Sequence, residues 1–240
     1  MSRHATMILL CAGECMWDDE KKIAGWTDVP LSELGVNQCK EAAEYMRGIK
    51  IDVAFTSVLK RGIHTTCIVL DELDLNCVKI KKHWRLNPRH YGIMQGVLRS
   101  EAKKVENYQE IFRGLTQKFP SISTSDETHP SHDFRYCLVP YNSLPGSESL
   151  EDAKNRIIPY WYDKIAPCLL KGKNILVVTH KDTVRALRYF WNDYEGNIED
   201  LEVASGVSRV YEFNEKLEII DKKDLGDLDE IARRISRLKV

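Results

Sequence analysis

Several absences narrow what this 240-residue sequence can encode. No apolar run approaches the roughly 18 to 20 residues that a membrane-spanning helix needs, and Met1 to Thr6 lacks the long apolar stretch of a secretion signal. The expectation is a soluble, cytoplasmic protein. Charge of one sign is missing too: 35 Lys and Arg stand against 36 Asp and Glu, a formal net charge of −1. Nothing in that balance pulls the chain toward nucleic acid or an anionic membrane, so any anion site must be a local cluster. The seven cysteines are odd in number and form no Cys-x-x-Cys pair, which argues against a disulfide framework and a zinc knuckle. No His-x-x-x-His spacing occurs, so no metal site is expected. Repeats of 20 to 50 residues and low-complexity blocks are likewise absent.

What is present is an ordinary globular composition, 43% hydrophobic and 30% charged, in which strand and helix signals alternate. Met7 to Leu10 is a short apolar run. Ser32 is a plausible N-cap, followed by Leu34, Cys39, Ala42, Ala43 and Met46 at helical spacing. Ile51 to Thr56 reads as a strand, Lys60 to Leu73 as a helix, and Val78 and Ile80 begin another strand. Residues His83 to Leu144 read as an inserted cap, with one helical piece around Glu101 to Lys118. Ser149 and Asp152 resemble a capping box before Leu150, Ala153, Ile157, Trp161 and Ile165, a helix that Pro159 should kink or split. Ile175 to Val178 is a run suited to a strand buried on both faces; Val207 to Phe213 reads as a further strand and Asp227 to Lys239 as a charged helix. The pattern predicts one domain over residues 1–240, a three-layer α/β/α sandwich with a largely parallel sheet. Ligands of such sheets bind outside the carboxyl ends of the strands, which here lead into Cys11-Ala12-Gly13-Glu14, Thr56-Ser57 with Lys60-Arg61, and Thr179-His180-Lys181-Asp182.

Blocks along the chain carry a resemblance: Gly25-Trp26, Leu31-Ser32, Thr56-Ser57-Val58-Leu59-Lys60-Arg61, Arg85-Leu86-Asn87, Arg89-His90-Tyr91-Gly92, Glu148-Ser149-Leu150 and Ile158-Pro159-Tyr160-Trp161. The sequence resembles the histidine phosphatase superfamily and, within it, the phosphoglycerate mutases that depend on 2,3-bisphosphoglycerate. The resemblance implies a glycolytic phosphotransferase-type isomerase that interconverts 2- and 3-phosphoglycerate. It implies no required cofactor beyond 2,3-bisphosphoglycerate as phosphoryl donor, and a phosphorylated three-carbon acid as ligand. It also implies a homodimer, with a mixed dimer beside an active mutase as an alternative.

The same resemblance exposes departures. The family's phospho-accepting histidine lies in an Arg-His-Gly-Glu motif that here reads Cys11-Ala12-Gly13-Glu14. Covalent catalysis needs a lone pair aimed at phosphorus, and the methyl of Ala12 has none. Cys11 replaces the arginine that would grip phosphate with a planar fork. Pro88 stands in place of the acidic residue that would move a proton to the substrate hydroxyl. Cys15 and Asp18 replace a serine and an asparagine, and Lys181 replaces a glycine after His180. Retained positions, carried over from the family's substrate site, are Arg61, Arg89, Tyr91, Arg99, Arg113 and His180, with Lys181 as an added charge.

Loss of a nucleophile costs on the order of 10⁶ in rate, about 8 kcal/mol of transition-state stabilisation. Loss of one bidentate arginine costs binding less, about 2 to 5 kcal/mol. The leading expectation is therefore a catalytically inactive pseudoenzyme that serves in phosphoglycerate binding or as a partner. The alternative is a weak mutase or phosphatase working through His180 or a cysteine, since a thiolate of Cys11 or Cys15 near Arg61 and Lys181 would have a lowered pKa. Against it, the arginine that cysteine phosphatases place six residues after the nucleophile would fall at Trp17 or Lys21, neither of them arginine, so Cys11 and Cys15 read mainly as two buried thiols.

Overall fold

The computed structural model describes residues 3–238. A six-stranded sheet in the order β3-β2-β4-β1-β5-β6 organises the chain, built from β1 (Ala5–Cys11), β2 (Val53–Thr56), β3 (Ile80–Lys82), β4 (Ile175–Thr179), β5 (Ser208–Phe213) and β6 (Ile219–Leu225). The four strands β3, β2, β4 and β1 are parallel; β5 runs antiparallel to β1 and β6 antiparallel to β5.

Side-chain alternation explains the layers. Met7, Leu9 and Cys11 of β1 share one apolar cluster with Val53, Phe55, Ile175 and Val177, whereas Ile8 and Leu10 point into a second with Ala54, Leu176 and Val178. A strand buried on both faces alternates between two cores, so its sequence reads as a continuous apolar run. The first face is covered by α6 (Leu150–Tyr160), α7 (Ala166–Leu170) and α8 (Lys181–Phe190) through Leu150, Ala153, Ile157, Leu169 and Leu187. The second is covered by α2 (Glu33–Met46) and α3 (Lys60–Glu72) through Cys39, Ala42, Ala43, Met46, Val69 and Leu70. The result is the expected α/β/α sandwich.

The capping signals behave as their chemistry requires. Ser32 caps α2 by accepting the Gly35 N–H at 3.1 Å, and Ser149 and Asp152 form a reciprocal capping box at the start of α6. Pro159, which lacks an N–H, lies inside α6 and does not split it: the chain stays helical past it, through a π-turn at Trp161–Ile165 and into α7.

Three further readings are corrected. The single helical piece expected over 101–118 is two short helices, α4 (Arg99–Ala102) and α5 (Tyr108–Arg113), separated by Asn107 in the left-handed region at φ 58°. The strand expected from Val78 is three residues long and starts at Ile80. Strand β6 has no counterpart in the sequence reading, because an edge strand carrying Asp221, Lys222, Lys223 and Asp224 shows no hydrophobic period. The last helix, α9 (Leu228–Leu238), is held to α2 by Arg234 and Glu41 at 2.6 Å; Lys239, where the sequence reading ends it, lies outside the described residues. No helix among the described residues is long and apolar enough to cross a membrane.

Candidate functional site

Strand register aligns the three predicted exits. Cys11 pairs with Thr179, and Thr56 pairs with Val178, so β1, β2 and β4 all release their chains at one edge of the sheet. The Ala12 N–H donates to the Thr179 carbonyl at 2.8 Å, and Gly13 and Gly35 then press the loop against the first turn of α2. A side chain on Gly13 would meet the Gly35 carbonyl at 2.4 Å and one on Gly35 would meet the Glu14 carbonyl at 2.0 Å, so both must be glycine. The backbone of the exit loop is thus well determined. The side chain that it presents is the methyl of Ala12, 4% exposed and packed with the apolar layer beneath α2 and α3.

His180 caps α8 at the β4 exit, and its Nε2 lies 2.8 Å from Ser57 Oγ after β2. Burial, reinforced by Arg61 and Arg156, pushes its pKa well below the ordinary histidine value, so the ring is neutral. Pro88 is buried and contributes only its carbonyl, which accepts from Trp26 Nε1 at 2.7 Å and Arg156 Nη2 at 2.9 Å.

Each retained cation is engaged by the chain itself. Arg61 donates to the carbonyls of Gly25 and Thr27 at 2.6 and 2.8 Å. Arg89, 1% exposed, donates to the Ile111 and Phe112 carbonyls at 3.1 and 2.6 Å, stacks on Tyr91 and lies 3.9 Å from Asp182. Tyr91 donates its hydroxyl to Asp182 at 2.9 Å. Arg113 pairs with Glu202 at 2.8 Å. Arg99 and Lys181 approach Asp18 at 3.6 and 3.8 Å. Three acids therefore organise the site: Asp18, Asp182 and Glu202. Asp18 and Asp182 stand at the strand exits and were legible there; Glu202 lies in an irregular segment whose sequence gives no signal.

Cys11 and Cys15 are both buried, as the main reading had them, and the alternative of activated thiols is corrected. Cys11 is pushed up to about 12 and Cys15 to about 11, chiefly by burial, with Lys181 and Arg61 too weak to compensate and Asp18 adding to the rise. Both are protonated at neutral pH, the opposite of the lowered pKa inferred from nearby cations.

A cavity of about 790 Å³ opens to one side of the strand exits, between the 26–28 loop and the 126–136 segment, with Trp17, Trp26, His90 and Tyr136 among its walls; Ala12, Arg61 and His180 do not line it. The candidate site lies at the strand exits, where the motif residues converge, and not in that cavity. Among the described residues no group of three or more His, Cys, Asp or Glu is arranged to hold a metal ion.

Comparison with known proteins agrees with this geometry. Solved structures superpose over nearly the whole chain: YhfR of Bacillus stearothermophilus at 18% identity and TM-score 0.67, covering 90% of this chain and 94% of that one. A mycobacterial glucosyl-3-phosphoglycerate phosphatase, solved with VO3, gives 19% and 0.66 over 88% and 92%, and phosphoglycerate mutase from Bacillus anthracis gives 20% and 0.65 over 95% and 96%. At such identities the likeness is one of fold. The sequence itself matches the histidine phosphatase superfamily (branch 1) over residues 7–132, a span that carries the β1 exit, the β2 exit and the Arg89 to Gly92 block. With that match over more than half of its length, the chain belongs to branch 1 of the histidine phosphatase superfamily.

Proposed function

We propose that this protein is a non-catalytic relative of the phosphoglycerate mutases, which retains the fold but not phosphoryl transfer. One observation carries the reading: the side chain at the β1 exit is a buried methyl, and no neighbouring group replaces its missing lone pair. Cys11 and Cys15 are buried and protonated, and Ser57, fully buried, is hydrogen-bonded to His180. Proton transfer is lost as well, since Pro88 offers only a carbonyl that is already engaged. Its role is then that of a binding or partner protein in the cytoplasm, as a homodimer or beside an active mutase.

The test is direct. Purified chain incubated with 2,3-bisphosphoglycerate should acquire no acid-labile or acid-stable covalent phosphate, and should not interconvert 2- and 3-phosphoglycerate. A phosphorylated residue, or turnover that survives removal of host mutase and disappears in His180→Ala, would overturn the reading in favour of an altered enzyme mechanism.

A further inference from the structure

Asp18 sits on α1 (Met16–Asp19), the single turn after the β1 exit. Its Oδ1 lies 3.6 Å from Arg99 Nη2 and 3.8 Å from Lys181 Nζ, so one carboxylate faces cations from two elements: α4, far along the chain, and α8 at the β4 exit. Its Oδ2 accepts the Cys15 N–H and the Cys15 thiol, each at 3.0 Å, which fixes the group on its own loop. Burial opposes ionisation, but Lys181, the Cys15 hydrogen bonds and Arg99 together hold the carboxyl at about 2, well below the usual carboxylate range.

These two cations differ from the others at the site. Arg61 and Arg89 are 5% and 1% exposed and bonded to backbone carbonyls, whereas the side chains of Lys181 and Arg99 retain 31% and 38% exposure. Arg113 is as exposed as Lys181, at 31%, but Glu202 closes it at 2.8 Å, nearer than Asp18 comes to Lys181 or Arg99, and Arg185 lies 3.8 Å from Asp182. Lys181 and Arg99 are therefore the cations that a solvent-borne anion meets first, and a tethered carboxylate already stands between them. An incoming phosphate must displace Asp18 from both or lie beside its charge. Either route is penalised, by competition with a group at high effective concentration or by like-charge repulsion.

We infer that Asp18 is the specificity-determining residue of this mouth: it excludes phosphomonoester dianions by standing as an internal counter-anion between Lys181 and Arg99. The inference deepens the non-catalytic reading, because a site that neither transfers phosphate nor admits it has been turned to another use. It also assigns Lys181 a role, that of partner to Asp18 rather than a free replacement for the missing arginine.

The experiment is calorimetric titration of the full chain with inorganic phosphate and, separately, with 3-phosphoglycerate. Asp18→Asn should bind both more tightly than the native chain by about tenfold or more, the ratio to which about 1.4 kcal/mol corresponds. Adding Lys181→Gln to Asp18→Asn should abolish the gain. Asp19→Asn, which removes an exposed charge one residue along, should leave affinity unchanged. Should Asp18→Asn fail to fold, Asp18→Ser, which keeps a small acceptor for the Cys15 N–H, is titrated instead and carries the same expectation. Native-like affinity in the Asp18 variant, an equal gain in Asp19→Asn, or a gain that survives the loss of Lys181 would each overturn the inference. Covalent phosphate on the native chain would instead sink the non-catalytic reading and leave the Asp18 comparison standing, so the two failures are distinguishable.

Discussion

Arg156 and Glu148 form an ion pair at 2.6 Å that is almost wholly buried, and it braces the segment around Pro88. The guanidinium also donates to the carbonyls of Arg85 at 2.8 Å and Pro88 at 2.9 Å, while Glu148 accepts the His90 N–H at 3.0 Å. A loop with no regular hydrogen-bond ladder is thus satisfied largely by side chains, with Arg156 of α6 joined by Glu148, Trp26, Thr179 and Thr183.

Arg156→Met should consequently destabilise the fold by about 3 to 5 kcal/mol, since it strands a buried carboxylate and several carbonyls. Urea denaturation measures this through the shift in midpoint. Pairing it with Glu148→Gln should recover part of the loss, and a midpoint within error of the native chain would contradict the bracing role.

His90 is fully buried, with Nδ1 accepting the Gly92 N–H at 3.0 Å, and burial lowers its pKa to about 3. A histidine whose folded pKa lies below its unfolded value binds protons preferentially when unfolded, so stability declines as pH falls below about 6.5 and levels off only near the folded value. The slope from one such group approaches about 1.4 kcal/mol per pH unit. Chemical denaturation between pH 7 and 4 should show this decline, and His90→Asn should flatten it. An unchanged slope in the variant would assign the proton uptake elsewhere, for example to His83 or His180.

Restoring a nucleophile should not restore an enzyme. Ala12→His supplies the missing lone pair, but Pro88 still provides no proton and general acid–base catalysis contributes roughly 10² to 10⁴ in rate. Mutase turnover measured by a coupled assay should remain near background in Ala12→His and rise only when Cys11→Arg and Pro88→Glu are added. Full activity from the single substitution would show that the proton-transfer group is dispensable.

The cysteines divide by exposure. Cys67, Cys77 and Cys137 are exposed, whereas Cys11, Cys15 and Cys39 are buried, and burial raises the pKa of all three. Iodoacetamide at neutral pH should label the exposed thiols in the native chain and reach Cys11 and Cys15 only after unfolding, as read by mass spectrometry. Rapid labelling of Cys11 or Cys15 in the folded protein would revive a thiol-based mechanism.

Much of the architecture is legible in the residues themselves. Runs such as Ile175 to Val178 can be satisfied only where both strand faces are covered, and the caps at Ser32 and Ser149 mark where helices must begin. The proposal of lost phosphoryl transfer also starts from residue type, because the methyl of Ala12 and the ring of Pro88 carry neither a lone pair nor a transferable proton in any geometry. Strand β6 and the break at Asn107 were not readable: the former is a charged edge strand stabilised by pairing with β5, and the latter depends on a single left-handed residue.

Charge is where tertiary structure decided the outcome. From the sequence, Arg61, Arg89, Arg99, Arg113 and Lys181 read as a partial anion site, and Cys11 and Cys15 as two buried thiols with activation by nearby cations as the lesser alternative. In the folded chain Asp18 and Glu202, distant in sequence from the cations they meet, and the carbonyls of Gly25, Thr27, Ile111 and Phe112 engage those cations, while burial outweighs Coulomb attraction at both thiols. Residue type determines which groups can carry charge or share electrons; whether they are free to do so depends on distances and desolvation, which arise only when remote segments are packed together.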